Sequence, residues 1–200
     1  MAPDERRRAI VEAVVPLLLA SGGEVSTRQI AKAAGIAEGT IFRVFPDKPA
    51  LLRAAAEETM DPDRNRAALD AALVGAETLR EKVVVTAREM AVRSEKVMAV
   101  MMALRRLWMS QPEPRPKPDG PPSFVTEANR SLHERLTEIF EPHRDELTVA
   151  PTAAASLLRT LVLGSRYPGS DPDQRLSPDQ VADALLDGIR SRSPHEESPC

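Results

Sequence analysis

Apolar residues recur at spacings of three and four positions along nearly the whole 200-residue chain. This period matches the α-helix and places the apolar side chains of each segment on one face. No run of β-branched residues bounded by hairpin turns interrupts the pattern. The sequence therefore predicts an all-α protein of about nine helices. The first predicted helix, Arg6–Ser21, contains Pro16, which should kink it or break one turn.

Two short helices are predicted next. Ser26 and Gln29 have the spacing of a reciprocal capping box, which predicts a helix over Thr27–Ala34. Gly35 should end this helix, because glycine tolerates the left-handed conformation found after many helix ends. The second short helix is predicted over Glu38–Phe45.

The two short helices present an apolar and a polar side. Residues of both helices are spaced to share a small core: Ala31, Ile36, Ile41 and Phe45. Side chains of the second helix that remain on the outside include Thr40, Phe42 and Arg43. Pro46 then closes the helix, and Asp47 is placed to cap a fourth one that runs to about Met60.

The rest of the chain predicts a larger helical body. Separate helices are predicted at Leu79–Val92 and from a Ser94 cap to Trp108. Gln111–Pro122 holds six prolines and no core-forming residue, so we predict an extended loop. The last two predicted helices are strongly apolar and cover Pro151–Arg166 and Pro178–Arg190.

Charge is distributed unevenly between the two parts. Residues 1–56 carry 8 Lys and Arg against 6 Asp and Glu, whereas the remainder carries 19 against 24. Phosphate binding is therefore expected only at the N-terminal end. The run Arg6-Arg7-Arg8 can be a phosphate-contacting arm or a solvated helix start, and the sequence leaves both open.

Several classes of function find no support in the sequence. The single cysteine, Cys200, excludes an intramolecular disulfide framework. We see no signal peptide and no apolar run long enough to span a bilayer, so a soluble cytoplasmic protein is expected. His133 and His143 have no ligand-type residues at metal-binding spacing and are expected at the surface. Without a nucleophile–base set or a phosphate loop, we expect no enzyme and no cofactor.

The segment STRQIAKAAGIAEGTIFRVFPDKPALL, preceded by a bracing helix, resembles the N-terminal signature of the TetR family of bacterial transcription regulators. The resemblance covers about residues 6–56, a quarter of the chain. The matching positions are Ile30-Ala31, Ala34-Gly35-Ile36, Gly39-Thr40, the aromatic Phe42, Arg43, Phe45-Pro46, Lys48 and Leu51-Leu52. The family implies a three-helix DNA-binding head at residues 1–56 and a helical regulatory and dimerisation body at residues 57–200.

In such a head the second short helix enters the major groove. The resemblance therefore assigns DNA binding to Arg28, Gly39, Thr40, Phe42, Arg43 and Lys48. Three departures from the family pattern remove hydrogen-bonding groups. Phe42 stands where the family usually has tyrosine, Val44 where it has histidine, and Ala37 where a serine commonly caps the helix. The missing cap should cost about 1 kcal/mol of local stability, and fewer phosphate contacts are expected.

For the body, the resemblance implies a homodimer in which two helices of each subunit form a four-helix interface. Its expected residues are Leu157, Leu161, Val181, Leu185 and Ile189, although these stripes can also be internal core. The family also commonly binds a small molecule in the body. Candidate lining residues are Met90, Met98, Met101, Met102, Trp108, Phe124 and Leu158, and the same methionine-rich stripe is compatible with plain core.

The resulting expectation is a dimeric repressor that binds double-stranded, palindromic operator DNA and is released by an apolar or amphipathic ligand. A DNA-binding regulator without a small-molecule effector is the first alternative. An all-α carrier or enzyme that uses the body pocket is the second.

Overall fold

The computed structural model describes residues 2–22, 24–110, 120–166 and 171–189, except the side chains of Trp108 and Pro172. Within these residues the protein is all-α, with nine α-helices and no β-strand, as the periodicity predicts. The helices are α1 (Pro3–Ala20), α2 (Thr27–Ala33), α3 (Glu38–Val44), α4 (Lys48–Thr59), α5 (Pro62–Ala72), α6 (Leu79–Met109), α7 (Ser123–Phe140), α8 (Pro151–Gly164) and α9 (Pro178–Ile189). Short 3-10 segments cover Glu141–Glu146 and Pro172–Gln174.

Some predictions concern residues outside the described ranges. They include most of the proline-rich loop (111–119), the last residue of the final predicted helix (Arg190) and the tail that ends in Cys200. Among the described helices, none combines the length and the apolar character that crossing a bilayer requires.

Helix α1 continues through Pro16, so the predicted broken turn is wrong. Pro16 lies on the exposed side of the helix. The opposite side buries Ile10, Val14 and Leu18 almost completely. Burial of these three side chains holds both halves of α1 against the same core, which offsets the one backbone hydrogen bond that proline removes.

Helix α6 is a single helix of 31 residues, so the two helices predicted at this place are wrong. Ser94 lies in its interior instead of capping a second helix. Residues 79–109 contain no glycine or proline, and an interior serine costs only a few tenths of a kcal/mol relative to alanine. A serine with the spacing of an N-cap therefore does not begin a new helix here, because no glycine or proline interrupts the helix before it.

The chain folds into two compact units. Unit 1 comprises Met1–Asp61 and Arg93–Thr126, and unit 2 comprises Pro62–Val92 and Glu127–Cys200. The first part of α6 thus belongs to unit 2 and its second part to unit 1. The functional domains predicted from the sequence, 1–56 and 57–200, stay a prediction; by packing, residues 93–126 group with the N-terminal helices.

The core of unit 1 combines α1–α4 with the second part of α6. Its buried residues include Ile10, Val14, Leu18, Ile30, Ile41, Phe45, Leu51, Leu52, Val100 and Ala103. Because Val100 and Ala103 complete this core, the second part of α6 is integral to the N-terminal unit. The core of unit 2 is built from α5, the first part of α6, α7, α8 and α9, with Val83, Phe140, Leu158, Val162 and Leu185 among its buried residues.

Candidate nucleic-acid interface

The start of α2 is fixed by the capping box that the sequence predicts. The backbone amide of Gln29 donates to Ser26 Oγ at 3.2 Å. In return, the backbone amide of Ser26 donates to Gln29 Oε1 at 2.8 Å. These two bonds satisfy donors that the first turn of a helix leaves free. The cap therefore defines where α2 begins and in which direction it leaves the preceding loop.

The turn from α2 to α3 is set by Gly35, which has φ of +67°. The amide of Ile36 donates to the Ala31 carbonyl at 3.0 Å, and the amide of Gly35 donates to the Lys32 carbonyl at 3.3 Å. This pair of bonds is the Schellman arrangement, which requires a left-handed residue after the helix end. The backbone thus places α3 at a fixed angle to α2, which is the geometry of a helix-turn-helix.

One side of α3 anchors the helix and the other is open. Ile41 and Phe45 are almost fully buried in the core of unit 1, together with Ala31. Ile36 is half-buried against the same core, so the four predicted core residues do pack together. On the opposite side, Gly39 and Arg43 are exposed and Phe42 is 52% exposed. Thr40 is half-buried at the edge of this open side.

The cations of the predicted interface are available for anions. Arg28 at the start of α2 and Arg43 in α3 are exposed, and Lys48 is half-buried. In the described part of the chain, none of these three makes an ion pair. Lys48 is the first residue of α4, where Asp47 accepts from the Ala50 amide at 2.7 Å. Positive charge at a helix N-terminus adds to the attraction of the free amides for a phosphate.

The arginine run near the N-terminus is helical, because α1 begins at Pro3. The guanidinium of Arg7 lies over the Phe45 ring at 4.6 Å from its centre. Arg8 lies 3.9 Å from Glu12 in an exposed pair one turn away. The run is thus part of a helix, its contact with phosphate stays a prediction, and Arg7 supports the position of Phe45 at the end of α3.

One residue of this surface, Glu38, was missed from the sequence. The Thr27 hydroxyl donates to Glu38 Oε1 at 2.5 Å and so links the first residues of α2 and α3. Ala37 makes no side-chain cap, as its replacement of serine implies. A carboxylate in the first turn compensates in part, because it interacts favourably with the helix dipole. The sequence signal for this contact was that α2 begins with a hydroxyl donor, Thr27, and α3 with a carboxylate acceptor, Glu38.

The residues predicted to line a ligand pocket are divided between the two units. Met90 and Leu158 are buried in the core of unit 2, as the plain-core interpretation expects. Met101 and Phe124 are partly buried against the core of unit 1. Met98 and Met102 are exposed, and the side chain of Trp108 is not among those that the structure describes.

Three residues of the predicted dimer interface are internal. Val181, Leu185 and Ile189 are buried in the core of unit 2, so their side chains are not on a surface that a partner could contact. The stripe of α9 was correctly identified as apolar, but it faces the other helices of its own unit. Leu157 is 41% exposed and Leu161 is half-buried, so only these two stay available.

His143 is half-buried, with 13% of its side chain exposed, rather than fully exposed. Its ring lies among Lys82, with the ammonium 3.0 Å from Nε2, and Glu146, with a carboxylate oxygen 2.7 Å from Nδ1. A neutral ring that donates from Nδ1 and accepts at Nε2 satisfies both contacts. His133 is half-buried. In the described ranges, no three His, Cys, Asp or Glu side chains are grouped to hold a metal ion.

Comparisons with known proteins agree with this architecture. Residues 17–55 match the family model of bacterial regulatory proteins, tetR family. The TetR transcriptional regulator SCO0520 from Streptomyces coelicolor aligns with a TM-score of 0.62 at 22% identity, over 94% of this chain and 99% of that chain. The fatty acid degradation regulator FadR from Bacillus halodurans aligns with a TM-score of 0.58 at 19% identity, over 90% and 94% of the two chains.

A third solved structure concerns the control of antibiotic production by bacterial hormones. It aligns with a TM-score of 0.63 at 22% identity, over 92% of this chain and 97% of that chain. At such identities the structural matches establish the fold. No curated protein matches the sequence.

Proposed function

On the premise that this chain is a member of the TetR family of bacterial regulatory proteins, we propose that it is a repressor that binds a palindromic operator as a homodimer. Release from the operator by a small apolar or amphipathic ligand completes the proposal. The observation that carries it is the open side of α3, with Gly39 and Arg43 exposed, followed in α4 by Lys48, which makes no ion pair among the described residues.

The chemistry of that side fits DNA. The first residues of a recognition helix reach base edges in the major groove, and Gly39 lets the backbone come close. Arg43 can form a bidentate pair with guanine or hold a phosphate. Phe42 can contact only apolar groups such as a thymine methyl, since its ring has no hydrogen-bond donor. Affinity for the phosphate backbone of DNA then depends mainly on Arg28, Arg43 and Lys48.

A salt titration of DNA binding tests these roles. Operator fragments are first selected from random duplexes, and the affinity is then measured by fluorescence anisotropy at several salt concentrations. Lys48→Ala should weaken binding to every sequence and reduce the salt slope by about 0.9. Arg43→Ala should also change the selected sequence if it contacts a base. Arg88→Ala, an exposed arginine of unit 2, removes the same charge and is the control.

Two outcomes would refute separate parts of the proposal. Unchanged salt slopes for Lys48→Ala would remove the phosphate role of this residue. Failure of the wild-type chain to enrich any sequence would remove the operator-binding function as a whole.

For the dimer, we propose the exposed side of α8. Leu157 and Leu163 are both 41% exposed, and Leu161 between them is half-buried. A two-fold dimer in this family places two heads about 34–36 Å apart, one DNA turn, and reads a palindrome. Burial of these leucines against a second copy would remove apolar surface from water.

Sedimentation equilibrium tests the dimer directly. Leu157→Asp should shift the protein toward monomer, because it places an unpaired charge in an apolar interface. Val74→Asp is the matched control, since Val74 is an exposed apolar residue between α5 and α6. A wild-type monomer at micromolar concentration, or equal dissociation of both variants, would contradict the proposed surface.

Response to a ligand distinguishes this repressor from a DNA-binding regulator without an effector. A thermal-shift screen identifies compounds that bind the folded chain, since a ligand that binds only this state raises its melting temperature. Compounds found in this way are then added to the protein–operator complex. Release of DNA supports the effector, and stabilisation without release supports the alternative.

A further inference from the structure

Unit 1 contains a cleft of about 660 Å³. Its walls come from the end of α1, the starts of α2 and α4, and the second part of α6. The apolar part of the lining consists of Leu18, Val25, Leu52, Ala103 and Leu107. Four of these side chains are nearly inaccessible to solvent, and Leu107 is half-buried. The volume lies in the range of known small-molecule sites.

The charged residues of the lining carry a net positive charge. Arg106 donates from one guanidinium nitrogen to the Gly22 carbonyl at 3.3 Å, and the same nitrogen lies 3.7 Å from Glu24. Glu24 thus forms a long, exposed ion pair with Arg106, while the other donors of that guanidinium have no partner among the described residues. The three charged residues of the lining, Glu24, Lys48 and Arg106, sum to one positive charge. Lys48 also lines the cleft and has no ion pair among the described residues. The net charge that a ligand meets is thus positive.

We propose that this cleft binds a small amphiphile that combines one anionic group with an apolar chain. The anion is a carboxylate or a phosphate monoester, held by Lys48 and the free donors of Arg106. The chain lies against Leu107 and the small exposed parts of the other apolar lining residues. This site is formed within unit 1 alone, and none of its residues belongs to the methionine-rich set predicted from the sequence.

Lys48 connects the cleft to the DNA surface. Its single ammonium can neutralise the ligand anion or a DNA phosphate, but not both. Bound amphiphile therefore weakens DNA binding by direct competition for this lysine, without a change of conformation. The competition, although not the binding, rests on the DNA-binding function proposed above. By linkage, DNA weakens the amphiphile to the same extent.

Binding is measured on the full chain by NMR of the leucine methyl groups. The probes are octanoate and octyl phosphate, with octanol as the uncharged control and acetate as the control without a chain. Methyl signals of Leu18 and Leu52 should shift and saturate, while those of Leu136 in unit 2 stay unchanged. Decanoate should bind more tightly than octanoate, by up to about fourfold for each added methylene. Whichever of the two anions binds more tightly identifies the preferred head group.

Two neighbouring arginines of α6 give matched variants. Arg106→Ala should weaken octanoate about tenfold or more, because it removes a charge-assisted hydrogen bond. Arg105→Ala removes an equal charge from an exposed residue outside the lining and should stay within about twofold of wild type. Ser110→Trp narrows the exposed rim of the cleft and should also weaken the ligand. Wild-type affinity in both Arg106→Ala and Ser110→Trp, or no saturable shift at about 1 mM, would overturn the site.

Competition is measured by anisotropy with a selected operator. Saturating octanoate should raise the apparent Kd for DNA to that of ligand-free Lys48→Ala, and should leave Lys48→Ala without further loss. A further loss in that variant would overturn direct competition. If no DNA sequence is bound at all, the repressor proposal fails while the NMR titration still decides the cleft. If DNA binds but the methyl signals do not shift, only the cleft proposal fails.

Discussion

Replacing Gly35 with alanine tests the turn that orients α3. Gly35 has φ of +67°, and a Cβ built at this position would meet no atom within 4 Å. The substitution therefore adds no clash, so its effect comes from the backbone conformation alone. An L-residue in the left-handed region costs about 1–2 kcal/mol. Loss of conformational freedom in the unfolded chain returns about 0.4–1 kcal/mol. The expected net destabilisation is about 1 kcal/mol.

Gly39→Ala is the matched control with the opposite sign. Gly39 also has open space around its Cβ position, but it lies inside α3. Alanine in a helix is more stable than glycine by about 0.5–1 kcal/mol, and the lower value applies in a first turn. This variant should therefore be slightly more stable than wild type. Its DNA affinity should nevertheless fall, because the new methyl group lies on the side proposed to approach the major groove.

Stability is measured by thermal unfolding followed by far-UV circular dichroism, and DNA affinity by anisotropy. For a chain of this size, 1 kcal/mol corresponds to about 2–4 °C in Tm. We expect Gly35→Ala to melt lower by that amount and Gly39→Ala to melt at or slightly above wild type. If Gly35→Ala is as stable as wild type, the turn does not require its left-handed residue. If Gly39→Ala binds DNA normally, close approach at this position is wrong.

Three further predictions follow from contacts in the two units. Glu38→Gln should change the selected base preference at one operator position, because a carboxylate held by Thr27 can accept a hydrogen bond from cytosine. Thr27→Val should change the same preference more weakly. Identical selected sequences for wild type and both variants would refute this role of Glu38. Bonds from the Thr78 amide and hydroxyl and from the Glu77 amide lower the pKa of Glu81. This stabilisation is present above the ordinary glutamate pKa and lost as pH falls through the folded-state pKa, so the Tm difference between wild type and Glu81→Gln should shrink on acidification. Burial lowers the pKa of Arg93, which has no ion pair among the described residues. Because burying an unpaired charge costs stability, Arg93→Met should raise Tm. A lower Tm for this variant would indicate an unrecognised partner of Arg93.

The sequence predicted the N-terminal helices well because their signals are local. The Ser26 and Gln29 cap, the Gly35 turn and the Asp47 cap each depend on residues within a few positions of one another. Their hydrogen bonds form as the spacing requires. The exposed side of α3 follows from the same periodicity, since fixing Ile41 and Phe45 inward leaves Phe42 and Arg43 outward. Thr40, which was also predicted to face outward, is half-buried.

Features that depend on distant residues were harder to predict. Ser94 resembles a helix cap locally, but α6 continues because residues on both sides of it pack into cores. The Thr27–Glu38 bond joins residues that come together only after the turn has formed. The contacts of His143 with Lys82 and Glu146 were also not predicted, because Lys82 is distant in sequence and its approach is not encoded in the local pattern.

By itself, the sequence determined the all-α class, the helix-turn-helix and the resemblance to TetR regulators, because helix periodicity and capping act over one or two turns. Only the tertiary structure decided what each apolar stripe faces. The pattern of an amphipathic helix indicates that one side is buried, but it does not indicate which neighbouring element covers that side. For that reason the stripe of α9, with Val181, Leu185 and Ile189, proved to be internal core. For the same reason the cleft beside Lys48 became visible only when α6 was placed against the N-terminal helices.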